Sequence, residues 1–354
     1  IYHTKIQYAH LNPGLQLSEV IEASQVNMQR FQQEQQLNMA YASIKAQMKG
    51  NSQKPINDMI TEAFANFQIE LDKTLTYKSL FQLMNITATA ARLQSDYYPI
   101  SPFMMDIYSI ISEKQKIADK HLFYHIEILN LMAHTQFRLK DFEASKDFSE
   151  KMETEMLKKN GAYYKRFQEK LVVIKALNQN YTGQSSAAIT TLESFPYESL
   201  DIQLTLIMSL FQQSKFEDAN QIIRSMHHSD TWYEKKAGWI WVLKKNIIEI
   251  LLLIELDKLD LVLSRLQSFR RKFLKHLKDI GEERIITFMK LVIFVYDHPH
   301  LVTSETFKER VEASFSWKEA GQEDVFVMSF YAWLKAKMEN KDLYQTTLAL
   351  VSQN

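Results

Sequence analysis

The amino-acid sequence predicts an all-α protein built from stacked helical hairpins. Three observations indicate this fold class: turn-forming residues are scarce, apolar residues recur at helical spacing, and helix-breaking residues fall at intervals. The chain of 354 residues has only 7 Gly and 6 Pro, whereas average usage would give roughly 40 of the two together. Sandwiches, barrels and doubly wound sheets need Gly and Pro at many tight turns. The deficit therefore excludes most of these folds.

The apolar residues recur every three or four positions, which is the spacing of one face of a helix. The stripe formed by Ile126, Leu129, Met132, Ala133 and Phe137 is one example, and residues 200–211 and 247–254 carry others. We therefore predict that about three quarters of the chain is helical, far above the one third that is typical of soluble proteins.

Helix-stop signals divide this periodic pattern into pairs of helices. They lie near residues 50–55, 97–102, 160–161, 182–183, 195–196, 281, 298–299 and 321. The second helices of the pairs are predicted to start near residues 141, 184, 215, 258, 303 and 341. Helix–turn–helix units of about 30–45 residues are typical of an α-solenoid, in which each unit buries its apolar face against its neighbours.

A faint repeat marks two of the predicted hairpin corners. Phe137 to Ala144 and Phe211 to Ala219 both contain an aromatic residue, a polar turn, a second aromatic residue, an acid and an Ala. This pattern resembles the corner of the tetratricopeptide repeat (TPR), which reads Gly-Asp-Tyr-x-x-Ala, and Phe216 and Ala219 match its Tyr and Ala. The resemblance covers roughly residues 118–352, although the unit length varies and the Trp-x-x-Leu-Gly opening of the family is absent. It implies a right-handed superhelix of stacked hairpins.

The first hundred residues differ from the remainder. A Gln-rich helix with sparse apolar positions is predicted over residues 17–49, and amphipathic helices follow over 56–71 and 77–93. We therefore expect an N-terminal helical region at residues 1–117, which is either a cap or a small bundle, and a TPR-like repeat region at 118–354.

Charge and composition restrict the function classes. The 42 basic residues balance the 42 acidic ones, which argues against specific nucleic-acid binding. The absence of Cys excludes disulfides and thiolate metal sites. The most apolar stretch, Trp239 to Leu256, is interrupted by charged residues, so no membrane span is predicted. We expect a cytoplasmic protein. Because the chain starts at Ile1 and not at Met, we also expect its natural start to lie upstream, and a removed signal segment stays open as an alternative.

No motif for catalysis or for a cofactor is present. His121 and His125 are spaced so that one helix face could present two imidazoles to a metal, with His134 or Glu127 as a third ligand. Packing or surface roles are the favoured interpretation of these histidines. We therefore predict no catalytic, metal-binding or cofactor-binding residue, and we predict that the protein is not an enzyme.

A basic segment extends from Lys258 to Lys278 with a net charge of +6, from seven basic residues and one acid. Apolar residues run along the opposite face, so the favoured interpretation is the solvated face of an amphipathic helix. The alternative is a patch for an anion or an acidic partner, formed by Arg265, Arg270, Arg271 and Lys275.

The TPR resemblance implies a concave groove that is lined by the first helix of each hairpin. By the corner alignment, the groove positions are Asn130, His134, Phe137, Arg138, Val173, Leu177, Asn180, Tyr181, Leu204, Met208 and Phe211. This set is apolar and aromatic, unlike the Lys, Asn and Arg clamp with which chaperone-binding TPR proteins hold a terminal carboxylate. Such a groove suits an amphipathic helix or an extended peptide, or it is filled by the protein's own N-terminal helix.

The sequence thus favours a non-enzymatic, TPR-like scaffold that binds a protein or a peptide. The alternative is a regulatory protein that responds to a ligand or peptide and uses its N-terminal helices as an effector region. A helical, metal-assisted enzyme is a third hypothesis, and the missing motifs disfavour it.

Overall fold

In a computed structural model, helix makes up 84% of the structure and no strand occurs among the described residues. The structure describes residues 1–49, 54, 56–69, 75–94, 97–196, 199–314 and 325–352. The prediction of an all-α fold is therefore confirmed. The predicted helix stops near residues 50–55 and at Gly321 lie almost entirely outside the described residues.

The described residues form eighteen α-helices, with short 3-10 turns at Ala9–Leu11, Gln115–His121 and Pro299–Leu301. The helices are α1 (Tyr2–Gln7), α2 (Leu17–Lys49), α3 (Ile56–Asn66), α4 (Tyr77–Gln94), α5 (Ser101–Glu113), α6 (Leu122–Arg138), α7 (Phe142–Gly161), α8 (Tyr164–Tyr181), α9 (Ser185–Glu193), α10 (Leu200–Gln212), α11 (Phe216–Ser225), α12 (Asp230–Ala237), α13 (Trp239–Glu255), α14 (Leu259–Asp279), α15 (Glu283–Asp297), α16 (Glu305–Ser314), α17 (Val325–Glu339) and α18 (Leu343–Val351).

The chain divides into two compact units. Unit 1 comprises Ile1–Ala91 and Pro99–Ile128, and unit 2 comprises Arg92–Tyr98 and Leu129–Asn354. The boundary that we predicted between residues 117 and 118 falls inside unit 1.

The core of unit 1 contains the C-terminal half of α2 and the helices that follow it. Leu37, Ala40 and Ile44 of α2 are buried. The rings of His121 and His125 pack on the buried Tyr77, with centroids 5.2 and 5.9 Å from its ring. These two histidines therefore have the packing role that the sequence favoured.

Unit 2 is a series of helices in which neighbours along the chain are neighbours in space. The hairpins α8–α9, α10–α11, α13–α14 and α17–α18 have particularly extensive contacts, and α7 packs on α8. This sequential packing is compatible with a helical-repeat solenoid.

The hairpin corners share one backbone conformation. Lys140, Gly183, Ser214, Asp257 and Asn340 all have a positive φ, between 51° and 89°. At each corner a backbone N–H donates to the carbonyl five residues earlier, for example Lys215 to Leu210 at 2.9 Å, which is the Schellman ending of a helix. The predicted second-helix starts near 141, 184, 215, 258 and 341 are confirmed, because helices begin at Phe142, Ser185, Phe216, Leu259 and Leu343.

The repeated aromatic residues pack across these corners. The rings of Phe137 and Phe142 have centroids 5.7 Å apart, and those of Phe211 and Phe216 are 5.4 Å apart. Ala219, on the second helix of the latter hairpin, is completely buried. At both corners the aromatic residue after the turn therefore packs against the one before it.

Candidate functional site

The apolar part of the predicted groove is not open to solvent. Each of these side chains is at most 9% exposed: Phe137, Leu177, Tyr181, Leu204, Met208 and Phe211. The C-terminal helices α17 and α18 pack on this side of the hairpins. The Phe326 ring lies 6.1 Å from that of Phe137, and Tyr344 Oη donates to the carbonyl of Asn180 at 2.6 Å. Because these side chains are buried, they do not form an accessible peptide groove, and that interpretation is corrected here.

The composition of α17 explains why it occupies this position. Nine of its fifteen residues are buried, and a helix that is apolar on most of its faces must be covered on most of them. The sequence suggested the N-terminal helix as an internal occupant of the groove. The C-terminal hairpin takes this place within unit 2.

A buried polar network fixes how α17 sits on the earlier helices. Tyr181 Oη and Ser329 Oγ are 2.7 Å apart, and Gln212 Nε2 donates to the same Tyr181 oxygen at 3.2 Å. Asn180 Nδ2 in turn donates to Gln212 Oε1 at 2.6 Å. Buried hydrogen bonds between helices favour one arrangement of the elements that they connect, so these bonds favour the observed register of α8, α10 and α17.

Beside the buried apolar row lies a group of charged, polar and aromatic residues that we call the inner cleft. It consists of Arg92, His134, Arg138, Glu169, Lys170, Asp201, Lys244 and Phe326. These residues come from α4, α6, α8, α10, α13 and α17, so six helices contribute to one site.

Two cations of the inner cleft, Arg138 and Lys244, lie close to the Phe326 ring. The Arg138 guanidinium carbon is 4.7 Å from the ring centroid, and Lys244 Nζ is 3.8 Å from it. The same guanidinium also lies 4.6 Å from the Tyr97 ring. Cations within about 6 Å of an aromatic face are attracted to it, so these contacts hold Arg138 and Lys244 in defined positions.

The titration of His134 reflects these cations. Burial, followed by the positive charges of Lys170, Arg138 and Arg92, lowers the pKa of His134 to about 4. This imidazole is therefore neutral at pH 7. It contributes a hydrogen-bonding group to the inner cleft, and no charge.

Asp201 is the point at which water reaches the charged groups of the inner cleft. Desolvation by the surrounding protein, followed by the nearby Glu169 carboxylate, raises the pKa of Asp201. The residue is nevertheless solvent-exposed. Asp201 therefore lies close to other protein groups while water can still reach it.

Within the described part of the chain, cations outnumber carboxylates in the inner cleft. Among the described residues whose charges act on His134 and Asp201, four are cations, namely Arg92, Arg138, Lys170 and Lys244, and two are the carboxylates Glu169 and Asp201. The Glu169 carboxylate also accepts a hydrogen bond from the Ser199 hydroxyl. That hydroxyl oxygen accepts from the backbone N–H of Ile202 and so caps α10. The arrangement can hold an anionic group next to an aromatic surface.

Only part of this site was found by sequence reasoning. His134 and Arg138 lie in the inner cleft, and Asn130 is buried on the same helix. Reasoning missed the residues contributed by the other helices, namely Arg92, Glu169, Lys170, Asp201, Lys244 and Phe326. A signal existed for two of them. Lys170 lies three positions before Val173, and Asp201 lies three positions before Leu204, so each is close to a predicted groove position on the same helix face.

Of the four residues in the predicted basic patch on α14, one is paired with an acid of the protein and three are exposed. Arg265 Nε lies 2.9 Å from Oε1 of the buried Glu249, so its charge is balanced within the protein. Arg270, Arg271 and Lys275 are exposed, and Arg271 contacts the Ser268 hydroxyl at 3.4 Å.

No protein-family model matches the sequence, and no significantly similar curated protein or solved structure was found. None of the helices within the described ranges has the length and apolar character needed to cross a membrane. The same part of the chain contains no group of three or more His, Asp or Glu residues that could hold a metal ion.

Proposed function

We propose that this chain is a non-enzymatic, TPR-like binding module that holds an acidic segment of a partner protein or peptide in the inner cleft. The proposal includes a right-handed superhelical arrangement of the hairpins and a cytoplasmic location. The observation that carries it is the group of four cations in the inner cleft, two of which lie against the Phe326 ring, beside the solvent-exposed Asp201.

The held positions of the charged groups support the proposal. Arg138 is stacked between Tyr97 and Phe326, and only 8% of it is exposed. Glu169 is tied to the helix cap at Ser199. Groups that are already ordered in the free protein lose little further entropy on binding, so such a cleft can bind a flexible acidic segment.

Fluorescence anisotropy with labelled short peptides tests this function. We expect a Glu-rich peptide to bind, a Lys-rich peptide of equal length not to bind, and the affinity to fall with added salt. The variant Lys170→Gln with Lys244→Gln removes two cations of the inner cleft. It should bind the acidic peptide at least about tenfold more weakly, because hydrogen bonds to charged groups contribute about 1.5–3 kcal/mol each.

The matched control is Lys78→Gln with Lys235→Gln, which removes two exposed lysines outside the inner cleft. This control should bind like the wild type. Equal binding of both peptides, or equal loss of affinity in both double variants, would contradict the proposed function.

The regulatory alternative has one observation in its favour, since Ile1–Ala91 together with Pro99–Ile128 forms a compact unit of its own. If this alternative holds, binding of the acidic peptide should change amide hydrogen exchange within unit 1. Unchanged amide exchange in unit 1 would contradict the regulatory alternative and leave the scaffold function as the remaining proposal.

A further inference from the structure

A cavity lies between two helices that the proposed function does not use. α14 and α15 enclose about 170 Å³, and seven of the nine residues that line this space are apolar, among them Leu266, Leu274 and Ile293. An apolar cavity of about 150 Å³ admits benzene. The slot, as we call it, is therefore large enough for a hydrocarbon group.

The slot is elongated along the helices. Its lining residues on α14 extend from Leu266 to Leu277, which spans roughly 16 Å at 1.5 Å per residue. On α15 they extend from Ile286 to Ile293. This shape suits an extended alkyl chain better than a compact ring.

The two remaining lining residues are basic and lie on opposite walls. Arg270 belongs to α14 and Lys290 to α15, and both are exposed. Neither has a hydrogen-bond or ion-pair partner among the described residues. By contrast, Arg265 and Lys272 of α14 lie within ion-pair distance of Glu249, Asp230 and Glu234.

Charge complementarity thus indicates what the slot would take. Two like charges on one cavity repel each other, and an anion placed between them would relieve that repulsion. The planar guanidinium of an arginine matches the two oxygens of a carboxylate. An anionic group joined to an alkyl chain would satisfy both the basic rim and the apolar interior.

We propose that the slot binds a free fatty carboxylate of about six to ten carbons, with its chain between α14 and α15 and its carboxylate between Arg270 and Lys290. This inference is independent of the function proposed for the inner cleft, because the two sites share no residue.

Isothermal titration calorimetry with butanoate, hexanoate, octanoate and decanoate, each below its micelle concentration, tests the apolar part of the site. We expect the affinity to rise about fourfold for each methylene added until the slot is full. Affinity that does not depend on chain length would overturn the proposal.

Octanoate and 1-octanol together test the basic part of the site. The variant Arg270→Gln with Lys290→Gln should bind octanoate at least about tenfold more weakly, and its weak binding of 1-octanol should not change. The matched control, Lys275→Gln with Lys278→Gln, removes two exposed lysines of α14 that do not line the slot. If octanoate binds equally well to both double variants, the assignment of the carboxylate is wrong.

Filling the slot is the third arm of the test. Ile293→Trp should abolish octanoate binding while the circular dichroism spectrum and the melting temperature stay near those of the wild type. Leu274→Trp fills the slot from the other wall and replaces this variant if it does not fold. Octanoate binding that survives in a folded variant overturns the proposal.

Two other occupants would also overturn it. Sedimentation with phosphatidylserine vesicles that depends on Arg270 and Lys290, in the absence of octanoate binding, would assign the slot to a bilayer. A dimer of the wild-type protein that Ile293→Trp converts to a monomer would assign it to a second copy of the chain.

Discussion

At the scale of single residues, His134 shows how the inner cleft is coupled to stability. The pKa of this imidazole falls from 6.5 to about 4 because burial and three cations oppose its protonation. Below pH 6.5 the unfolded chain takes up a proton at this position that the folded chain does not bind. The contribution of this pKa shift to the free energy of unfolding is therefore fully present above pH 6.5, and it is lost as the pH falls towards 4.

Urea unfolding at pH 7 and at pH 5 measures this contribution. We expect His134→Gln to lose roughly 1–2 kcal/mol less stability than the wild type between these pH values. His300→Gln, which replaces an exposed histidine, should lose as much as the wild type. If all three proteins lose the same amount, another group accounts for the pH dependence.

At the scale of elements, the hairpin corners explain why local sequence was sufficient for this part of the fold. Each corner depends on one residue in the left-handed region and on a hydrogen bond across five residues. TPR proteins place Gly at this position, as this chain does at Gly183, whereas its other described corners use Lys140, Ser214, Asp257 and Asn340. An L-residue there costs about 1–2 kcal/mol, which the packing of the hairpin must offset.

Substitutions at two corners test that account. Ser214 is exposed with φ 55°, so Ser214→Gly should stabilise the protein by about 0.5–1 kcal/mol in chemical unfolding. Gly183 has φ 89°, and a Cβ atom there would meet nothing within 4 Å. Gly183→Ala should destabilise the protein by about 1 kcal/mol through backbone strain alone. Unchanged stability in both variants would show that backbone strain at the corners is negligible.

The burial of the predicted groove positions depends on contacts that are distant in the chain. Tyr181 bonds to Ser329 and Asn180 to Tyr344, across 148 and 164 residues. The spacing of apolar residues along a helix does not encode such pairs. The sequence therefore could not show whether the apolar stripes of α8 and α10 line an open groove or are covered by another helix. The same limit applies to Arg265, whose partner Glu249 lies on the preceding helix.

At the scale of the whole molecule, these contacts make unit 2 differ from an open repeat array. In an open solenoid each repeat contacts only its neighbours, and stability is a sum of neighbouring terms. Here α17 and α18 contact α6, α8 and α10. We therefore expect the end of unit 2 to stabilise its beginning.

The variant Ser329→Ala with Tyr344→Phe removes both hydroxyl contacts to α8. We expect a loss of about 1–3 kcal/mol, because the buried carbonyl of Asn180 is left unpaired, and faster amide exchange in α8. Tyr296→Phe, whose hydroxyl donates to Leu259 at an exposed site, is the control and should leave exchange in α8 unchanged. Changes confined to α17 and α18 would mean that unit 2 behaves as an open array.

The position of Phe326 has a consequence for protein synthesis. Its ring completes the inner cleft, whose other residues lie between Arg92 and Lys244. A nascent chain cannot form the site until the ribosome has released α17, and until then the apolar row from Phe137 to Phe211 has no cover. Translation that stops before residue 325 would therefore yield a chain that lacks the complete binding site. Such a chain would also expose an apolar surface, which chaperones bind.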